Sequence, residues 1–326
     1  MIARIINRIK QTISKLIFRP LIIKQLLKIL KVIAITGQHS NTCIEQGFLP
    51  LKIDYYSPIP DIQDLQNRNI WSTRSTLPGI NFRDNQQLEI LRTVGSQFAA
   101  ECNWPLEPSD NPAEFYLQNQ SFSYGCAAST HCLIRHYQPK RIIEIGSGMS
   151  SMIIAKAIGL NTTKNAAAYT IVDPFPGKIV SNIISTTANL IQSRVELLKP
   201  DFFDQLEAND ILFIDSGHCV RIGGDVNFLF LELLPRLKPD VIVHIHDIAL
   251  PYEYPKAYAT SETFRQFWTE QYLLQAFLCH NNSYEILLAM HYIMSDHIDI
   301  FKKTFPHYNP TIHTFTSGSF WIRRIG

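Results

Sequence analysis

From residue 123 onward, short apolar runs alternate with segments of helical periodicity, and this alternation restricts the fold more than any other feature. It predicts strands at residues 141–145, 169–173, 194–198, 211–215, 241–246, 284–289 and 317–323. Helical patterns separate most of them, at 149–158, 177–192, 225–237 and 261–280. Short apolar strands that alternate with helices are typical of a parallel α/β sheet covered by helices on both faces. In such sheets ligands bind beyond the carboxyl ends of the strands, so polar residues there are candidates for a site.

Two regions of different character precede this alternation. Residues 1–36 form a basic arm with helical periodicity, which Pro20 interrupts. Residues 37–122 are rich in proline, asparagine and aromatic residues, and contain one predicted helix near 87–101. Long ordered loops often cover a site. We therefore predict an amphipathic helical arm (1–36), a region that covers the substrate site (37–122) and the sheet domain (123–326).

The basic charge of the chain is concentrated in the arm. Residues 1–31 hold eight basic residues and no acid, whereas the rest of the chain holds 22 bases against 28 acids, a net charge of −6. An acidic body argues against nucleic acid as a partner. A basic amphipathic helix is typical of binding to an anionic membrane surface. The same apolar face would equally suit packing on the body or on another subunit, and both alternatives stay open.

The sequence contains no candidate export signal or membrane span. No apolar run approaches the ~20 residues that a spanning helix needs, and charged residues interrupt each candidate signal sequence. The six cysteines are scattered and form no CxxC pair, which is typical of a reducing compartment. We therefore expect a cytoplasmic protein, located at the inner face of the membrane if the arm binds lipid.

The first predicted strand runs directly into the glycine-rich sequence EIGSGMSS and a helix. Gly146, Ser147 and Gly148 form the turn, and Glu144 precedes it. Such a turn lets a ligand approach the backbone, and the N-terminus of the following helix favours electronegative groups. The second strand ends in Asp173, an acid placed to accept both hydroxyls of a ribose. Each feature also has a purely structural interpretation, as a tight strand–helix turn and as a helix N-cap.

The fourth and fifth predicted strands both end in polar residues. FIDSGH places Asp215 and His218 after strand four, and HIHD places His246 and Asp247 after strand five. Adjacent parallel strands bring their carboxyl ends side by side, so we expect these four side chains in one crevice. Because unpaired polar groups are costly to bury, the polar end of strand five indicates a site. His244 lies two residues deeper in the strand and is expected in the core.

Longer stretches of the chain resemble the class I S-adenosylmethionine-dependent methyltransferases. These stretches are RIIEIGSGMSS, DILFIDSGH, DVNFLFLELLPRLKPDVIVHIHDIALPYEYP, WTEQYLLQAFL, YYSPIPD and LPGINF. They are similar to a bacterial group of largely uncharacterised methyltransferases, over about residues 48–326. The resemblance implies a Rossmann-like, seven-stranded sheet that is mostly parallel, with an antiparallel last strand. It also implies S-adenosyl-L-methionine as the cofactor.

The resemblance assigns roles to the residues around this cofactor. It implies that the Gly146–Gly148 turn, with Glu144 just before it, faces the methionine part. Asp173 would bind the ribose, and the adenine would lie near residues 198–202. One position departs from the group, because Cys126 stands where an acid is expected.

More distantly, the chain resembles the metal-dependent O-methyltransferases that act on catechols and on macrolide sugars. That resemblance implies a divalent metal held by Asp215, Asp247 and, in place of an acid, His246. Magnesium prefers oxygen ligands, so a histidine suits Mn, Fe or Zn better. The same resemblance implies that His218 is the general base, a role that an imidazole can fill near neutral pH. With one histidine and no third acid, the sequence favours a site that works without a metal.

Together these features predict methyl transfer to an oxygen of a small-molecule or carbohydrate-like acceptor, with Asp215, His218 and Asp247 as catalytic residues. Aromatic residues after strand five are suited to ring stacking or to plain packing: Tyr252, Tyr254, Trp268 and Tyr272. Two other classes remain, namely a metal-dependent oxidase or hydroxylase on the same fold, and a scaffold that binds the cofactor without turnover. Cofactor binding separates the scaffold from the enzymes, and the products separate the two enzymes.

Overall fold

A seven-stranded sheet organises the chain. The structure, a computed structural model, describes residues 20–161, 167–178, 187–312 and 317–326. The strands are β1 Arg141–Ile145, β2 Ala168–Val172, β3 Ala188–Ile191, β4 Ile211–Ile214, β5 Ile242–Ile245, β6 Tyr284–Ala289 and β7 Phe320–Arg324. Their order is β3-β2-β1-β4-β5-β7-β6, and β7 runs antiparallel to both of its neighbours. The predicted α/β sheet with an antiparallel last strand is therefore confirmed.

Helices precede β1 and separate most of the later strands. In order they are α1 Pro20–Thr36, α2 Ser40–Glu45, α3 Ile62–Asn67, α4 Asp84–Ile90, α5 Tyr124–Tyr137, α6 Met149–Leu160, α7 Asp225–Asn227, α8 Lys256–Thr260, α9 Glu270–Leu278, α10 Met290–Asp296 and α11 Ile298–Thr304. The α4 helix continues through a π-helical turn, Leu91–Gly95, to Glu101, and α7 continues in the same way to Arg236. Ser123 caps α5, since its hydroxyl accepts the Cys126 N–H.

The register of the central strands brings their carboxyl ends level. Ile145 of β1 pairs with Val172 of β2 and with Ile214 of β4, and Ile214 pairs with Ile245 of β5. All four of these residues are buried. The residues that come directly after these strands therefore share one edge of the sheet, as the sequence predicts.

His244 lies in the core, which confirms its prediction. The side chain is 0% exposed, and its ring stacks on Phe213 at 3.7 Å between centroids. Its Nε2 lies 2.9 Å from the hydroxyl of Ser319, just before β7. Burial lowers the pKa of His244 well below its usual value, because a buried imidazolium loses its hydration. The imidazole is therefore a neutral, partnered core group.

The prediction for the third strand is wrong. β3 is Ala188–Ile191 rather than 194–198, and a 3-10 turn occupies Val195–Leu197. The helix predicted at 177–192 overlaps β3 at its C-terminal end, and residues 179–186 lie outside the described residues. β3 is an edge strand that pairs only with β2 in the described sheet. That long-range pairing places it, whereas its own apolar pattern is weak.

Two other predicted boundaries differ from the structure. The helix predicted at 261–280 begins only at Glu270, as α9, and the residues 261–269 before it are not helical. The sequence did not predict α8, which ends at Thr260. The last strand begins at Phe320 rather than at residue 317. The helix predicted near 87–101 is confirmed by α4 and its continuation.

By its internal contacts the chain divides into two compact units, residues 1–68 and residues 69–326. The first unit contains α1, the described part of the predicted arm; residues 1–19 lie outside the described residues. Within the described parts of the chain, no helix is both long and apolar enough to cross a membrane. The predicted boundaries at residues 36 and 122 stay predictions.

Candidate functional site

The glycine turn after β1 touches the end of β4. Gly146 has φ +82°, a left-handed conformation that favours glycine, and its N–H donates to the Val172 carbonyl at 2.9 Å. A Cβ at this position would lie 1.9 Å from the carbonyl oxygen of Asp215. Only a residue without a side chain therefore allows the turn to pass so close to the strand end that carries Asp215.

Glu144 is fully buried beneath this turn. It accepts hydrogen bonds from the hydroxyls of Ser150 at 2.6 Å, Ser151 at 2.7 Å and Tyr169. Burial raises the pKa of Glu144 to about 7, although these hydroxyls act in the opposite direction. Because protein hydroxyls occupy the carboxylate, Glu144 supports the turn and the start of α6 from below.

Asp173 connects the end of β2 to the glycine turn. One carboxylate oxygen accepts the hydroxyl of Ser147, and the other accepts the N–H of Phe175 at 2.7 Å. The residue is 9% exposed and borders a cleft beyond the strand ends. Among the described residues, it accepts hydrogen bonds from Ser147 of the turn and from Phe175, two residues further along the chain.

A cleft of about 320 Å³ lies between the glycine turn and the ends of β2, β3 and β4. Gly146, Asp173 and Asp215 line it, together with the segment 194–196. The exposed ring of Phe175 also borders it. The sequence predicted an adenine site near residues 198–202, but the segment that follows β3 into the cleft ends at residue 196. This difference follows from the shifted position of β3.

The four polar residues predicted in one crevice do converge. His246 Nδ1 lies 3.4 Å from Asp215 Oδ1 and 3.4 Å from Asp247 Oδ2. His218 Nε2 lies 3.4 Å from the same Asp215 oxygen and 3.7 Å from the same Asp247 oxygen. Asp215, His246 and Asp247 each offer one ligand atom within 4.8 Å of the other two. The predicted metal ligands are thus close enough to share an ion.

The charges in this cluster depend on one another. Burial raises the pKa of the Asp215 carboxyl, but the imidazoles of His246 and His218 outweigh burial and hold this pKa well below its usual range. Burial lowers the pKa of His246, but the carboxylates of Asp247 and Asp215 outweigh burial and raise this pKa well above its usual value. Burial also lowers the pKa of His218, but its hydrogen bonds to Asp215 and Glu270 outweigh burial and raise this pKa to about 10. Without a cation, the carboxylates around them therefore favour the positively charged form of both imidazoles.

Glu270 belongs to this cluster, and sequence reasoning did not find it. Its carboxylate is 1% exposed and lies 2.8 Å from His218 Nδ1. The backbone N–H groups of Thr269 and Glu270 both donate to the carbonyl of His218, and the Trp268 ring packs on its imidazole at 4.3 Å. The acid in the motif WTEQYLL, just before the apolar pair Leu273 and Leu274, is the signal that could have identified it.

The surroundings of His246 include the unexpected cysteine. The imidazole stacks on Phe122, with 5.0 Å between the ring centroids. Cys126 lies beside it, and its sulfur accepts the N–H of Gly318 at 3.3 Å. Burial raises the pKa of the Cys126 thiol, but His246 outweighs burial and holds this pKa below its usual value. A polarisable thiol thus stands where the resemblance led us to expect a carboxylate.

A second, much smaller cavity borders the cluster at Asp247. Its volume is about 20 Å³, and Asp247, Tyr254, Tyr258 and His291 are among the residues that line it. Tyr254 comes from the predicted aromatic rim, whereas no sequence motif points to His291. Of the other rim residues, Tyr252 donates to Asp296 at 2.5 Å and Tyr272 to Glu253 at 2.6 Å.

Known proteins match this chain over stretches of different length. A family model described as a methyltransferase domain matches residues 143–248. An uncharacterised protein of Archaeoglobus fulgidus is 30% identical over 193 residues, which is 57% of this chain and 86% of the relative. The O-methyltransferase TomG of Streptomyces achromogenes, solved with S-adenosylmethionine, is 15% identical over 74% of this chain and 99% of its own, with a TM-score of 0.42. The Podospora anserina methyltransferase PaMTH1 is 16% identical over 61% and 78%, with a TM-score of 0.34.

Proposed function

This chain belongs to the class I S-adenosylmethionine-dependent methyltransferases, and on that premise we propose that it methylates an oxygen atom of a small-molecule or carbohydrate-like acceptor. The observation that carries the proposal is that the acid–histidine cluster borders two cavities. Asp215 lines the 320 Å³ cleft, and Asp247 lines the 20 Å³ cavity. A methyl donor in the first and an acceptor hydroxyl in the second would meet at this cluster.

The larger cleft has the size and chemistry for the cofactor. Its volume lies at the lower end of the range of about 300–1,000 Å³ for small-molecule sites. The Gly146–Gly148 turn would receive the methionine part, with Glu144 supporting the turn from below. Asp173 would accept the ribose hydroxyls. The adenine would then lie near residues 194–196, against the exposed ring of Phe175.

The acid–histidine cluster also fits a divalent cation. Both ring nitrogens of His246 are buried, and neither forms a hydrogen bond with any residue that the structure describes. Buried polar atoms are rarely left without partners, which makes a ligand role for this imidazole attractive. Asp247 has a left-handed backbone, φ +58°, a strained conformation of the kind found at functional sites. Asp215, His246 and Asp247 would hold Mn²⁺, Fe²⁺ or Zn²⁺ better than Mg²⁺. Such a cation supplies Lewis-acid polarisation of an oxygen bound to it.

His218 contributes positive charge to this site. With its Nδ1 held by Glu270, its Nε2 faces Asp215 and Asp247. A protonated His218 can donate a hydrogen bond to an oxygen but cannot accept a proton, so the predicted role as general base needs a cation that neutralises the two carboxylates. Positioning of the acceptor and the sulfonium supplies most of the rate in such an in-line displacement.

The proposal is tested by calorimetry with S-adenosylmethionine and S-adenosylhomocysteine on the full chain. We expect the wild type to bind both, and Asp173→Ala to weaken binding roughly 10- to 100-fold, the scale of hydrogen bonds to a charged group. Asp201→Ala removes an exposed acid outside the cleft and is the matched control. A wild-type chain that binds neither compound would contradict the proposed function. An acceptor screen by mass spectrometry then tests O-methylation.

We further propose that α1 binds an anionic membrane surface. Lys24, Lys28 and Lys31 recur at helical spacing and form one cationic stripe. The remaining surface of the helix is apolar and largely exposed, including Leu21, Leu26, Leu27, Ile29, Val32 and Ile35. A wide apolar arc beside a basic stripe is typical of helices that lie in the membrane interface.

A further inference from the structure

The small cavity next to Asp247 has room for one oxygen atom. Its volume of about 20 Å³ exceeds the roughly 10–15 Å³ that a water molecule needs. A hydroxyl group in such a space needs polar partners, and Asp247 and His291 are the titratable groups that offer them besides the phenols of Tyr254 and Tyr258. The cavity is therefore a hydroxyl-sized subsite whose lining includes an acid and an imidazole.

His291 is available to bind a ligand. It is the second residue of α10, directly beyond the carboxyl end of β6, and is half-buried. Its ring nitrogens form no hydrogen bond with any residue in the described parts of the chain, and its ring lies 5.8 Å from that of Tyr252. Burial lowers the pKa of His291, although Asp296 on the same helix acts in the opposite direction. A neutral imidazole has one nitrogen with a free lone pair.

The other two imidazoles near the cluster face its carboxylates. His218 directs Nδ1 at Glu270 and Nε2 at Asp215 and Asp247. His246 directs Nδ1 at the same two aspartates. His291, by contrast, shares a cavity with Asp247 and has no carboxylate within salt-bridge distance among the described residues.

We propose that His291 is a catalytic residue that accepts the proton of the acceptor hydroxyl held beside Asp247, an inference that rests on the proposed function. The hydroxyl oxygen forms the new bond to the methyl carbon as the sulfur–methyl bond breaks. The electron pair of that bond returns to sulfur, which gives neutral S-adenosylhomocysteine, and the hydroxyl proton moves to the free nitrogen of His291. Solvent then removes this proton from the imidazolium.

The walls of the subsite indicate the acceptor class. Tyr254 and Tyr258 stack with 6.3 Å between their centroids, and Trp268 meets the Tyr258 ring edge-on at 4.8 Å. Flat aromatic walls favour an acceptor with an apolar ring face. The reacting hydroxyl is therefore carried by a ring, as in a phenol or a sugar.

The test follows the ring nitrogens of His291 by NMR in the full chain, labelled with ¹⁵N-histidine and saturated with S-adenosylhomocysteine. Catechol and methyl β-D-glucopyranoside are the hydroxyl probes, His291→Gln assigns the signal, and the exposed His136 is the internal control. We expect at least one probe to shift the His291 signals saturably without moving those of His136. Unmoved His291 signals with both probes would overturn the inference. A chain that binds no S-adenosylhomocysteine by calorimetry would overturn the proposed function and this role with it.

Turnover provides a second readout for any probe that is methylated. His291→Gln should lower kcat by at least about 100-fold, the usual scale of general-base catalysis, with the affinity for S-adenosylmethionine unchanged. Added imidazole should restore part of the rate to His291→Ala, because the deleted ring leaves space for it. Wild-type kcat in His291→Gln would overturn the inference, and where neither probe is methylated the NMR result alone decides.

Discussion

The substitution Gly146→Ala tests whether the glycine turn couples the cofactor cleft to the acid–histidine cluster. The new Cβ would lie 1.9 Å from the Asp215 carbonyl oxygen. The Asp215 N–H donates to the Ile145 carbonyl at 2.9 Å, which holds the end of β4 against β1. The turn and the end of β4 must therefore move apart, and the side chain of Asp215 moves with its backbone.

Gly146→Ala lowers the free energy of unfolding through two effects. A non-glycine residue in the left-handed region costs about 1–2 kcal/mol, and a methyl forced into a packed region costs about 1–3 kcal/mol. Together they predict a loss of about 2–5 kcal/mol in the free energy of unfolding. Because the turn also borders the cleft, we expect weaker binding of S-adenosylmethionine in the molecules that remain folded.

Urea unfolding and calorimetry measure the two effects, and Gly159→Ala is the matched control. Gly159 lies in α6, and a Cβ there would meet nothing within 4 Å. Replacing it should stabilise the chain by about 0.5–1 kcal/mol, since alanine loses less conformational entropy in a helix. If Gly146→Ala unfolds like the wild type and binds the cofactor with the same affinity, the proposed coupling is wrong.

Three further predictions concern charge. The pKa of Glu144 is raised from 4.5 to about 7 on folding, so the stability it contributes is present below pH 4.5 and is lost as pH rises through about 7. In urea unfolding, the free energy of unfolding of the wild type should therefore fall by about 2–3 kcal/mol between about pH 5 and about pH 8, relative to that of Glu144→Gln. Parallel pH profiles of the two proteins would contradict this. Asp247→Asn should bind S-adenosylmethionine normally but lose binding of Mn²⁺, measured by electron paramagnetic resonance, and equal Mn²⁺ affinity would remove Asp247 from the metal site. Replacing Lys24, Lys28 and Lys31 by glutamine should weaken binding to anionic vesicles by about 3 kcal/mol, measured by sedimentation. An unchanged affinity for the vesicles together with a changed oligomeric state would indicate that α1 packs on protein instead.

The order of strands along the chain and the identity of the strand-end residues could be derived from the sequence. Runs such as RIIEI and ILFI are typical of buried strands, and each is local, so its position follows from a few neighbouring residues. The polar residues after them then occupy the carboxyl edge of the sheet, which is why the sequence alone points to Asp173, Asp215, His246 and Asp247. The same local reasoning failed at β3, because an edge strand with a weak apolar pattern is placed by its partner.

Only the tertiary structure decided which partners these residues have. Glu270 meets His218 across 52 residues of chain, and His291 reaches the cavity beside Asp247 from the far side of β7. Neither contact leaves a periodic signal in the sequence, since the partners belong to separate elements whose packing brings them together. The charge states of the cluster depend on these contacts as well, because the pKa of a buried group is determined by the charges and hydrogen bonds within a few ångströms of it. Sequence pattern determines where a polar side chain leaves the core, whereas packing determines which other groups it meets there.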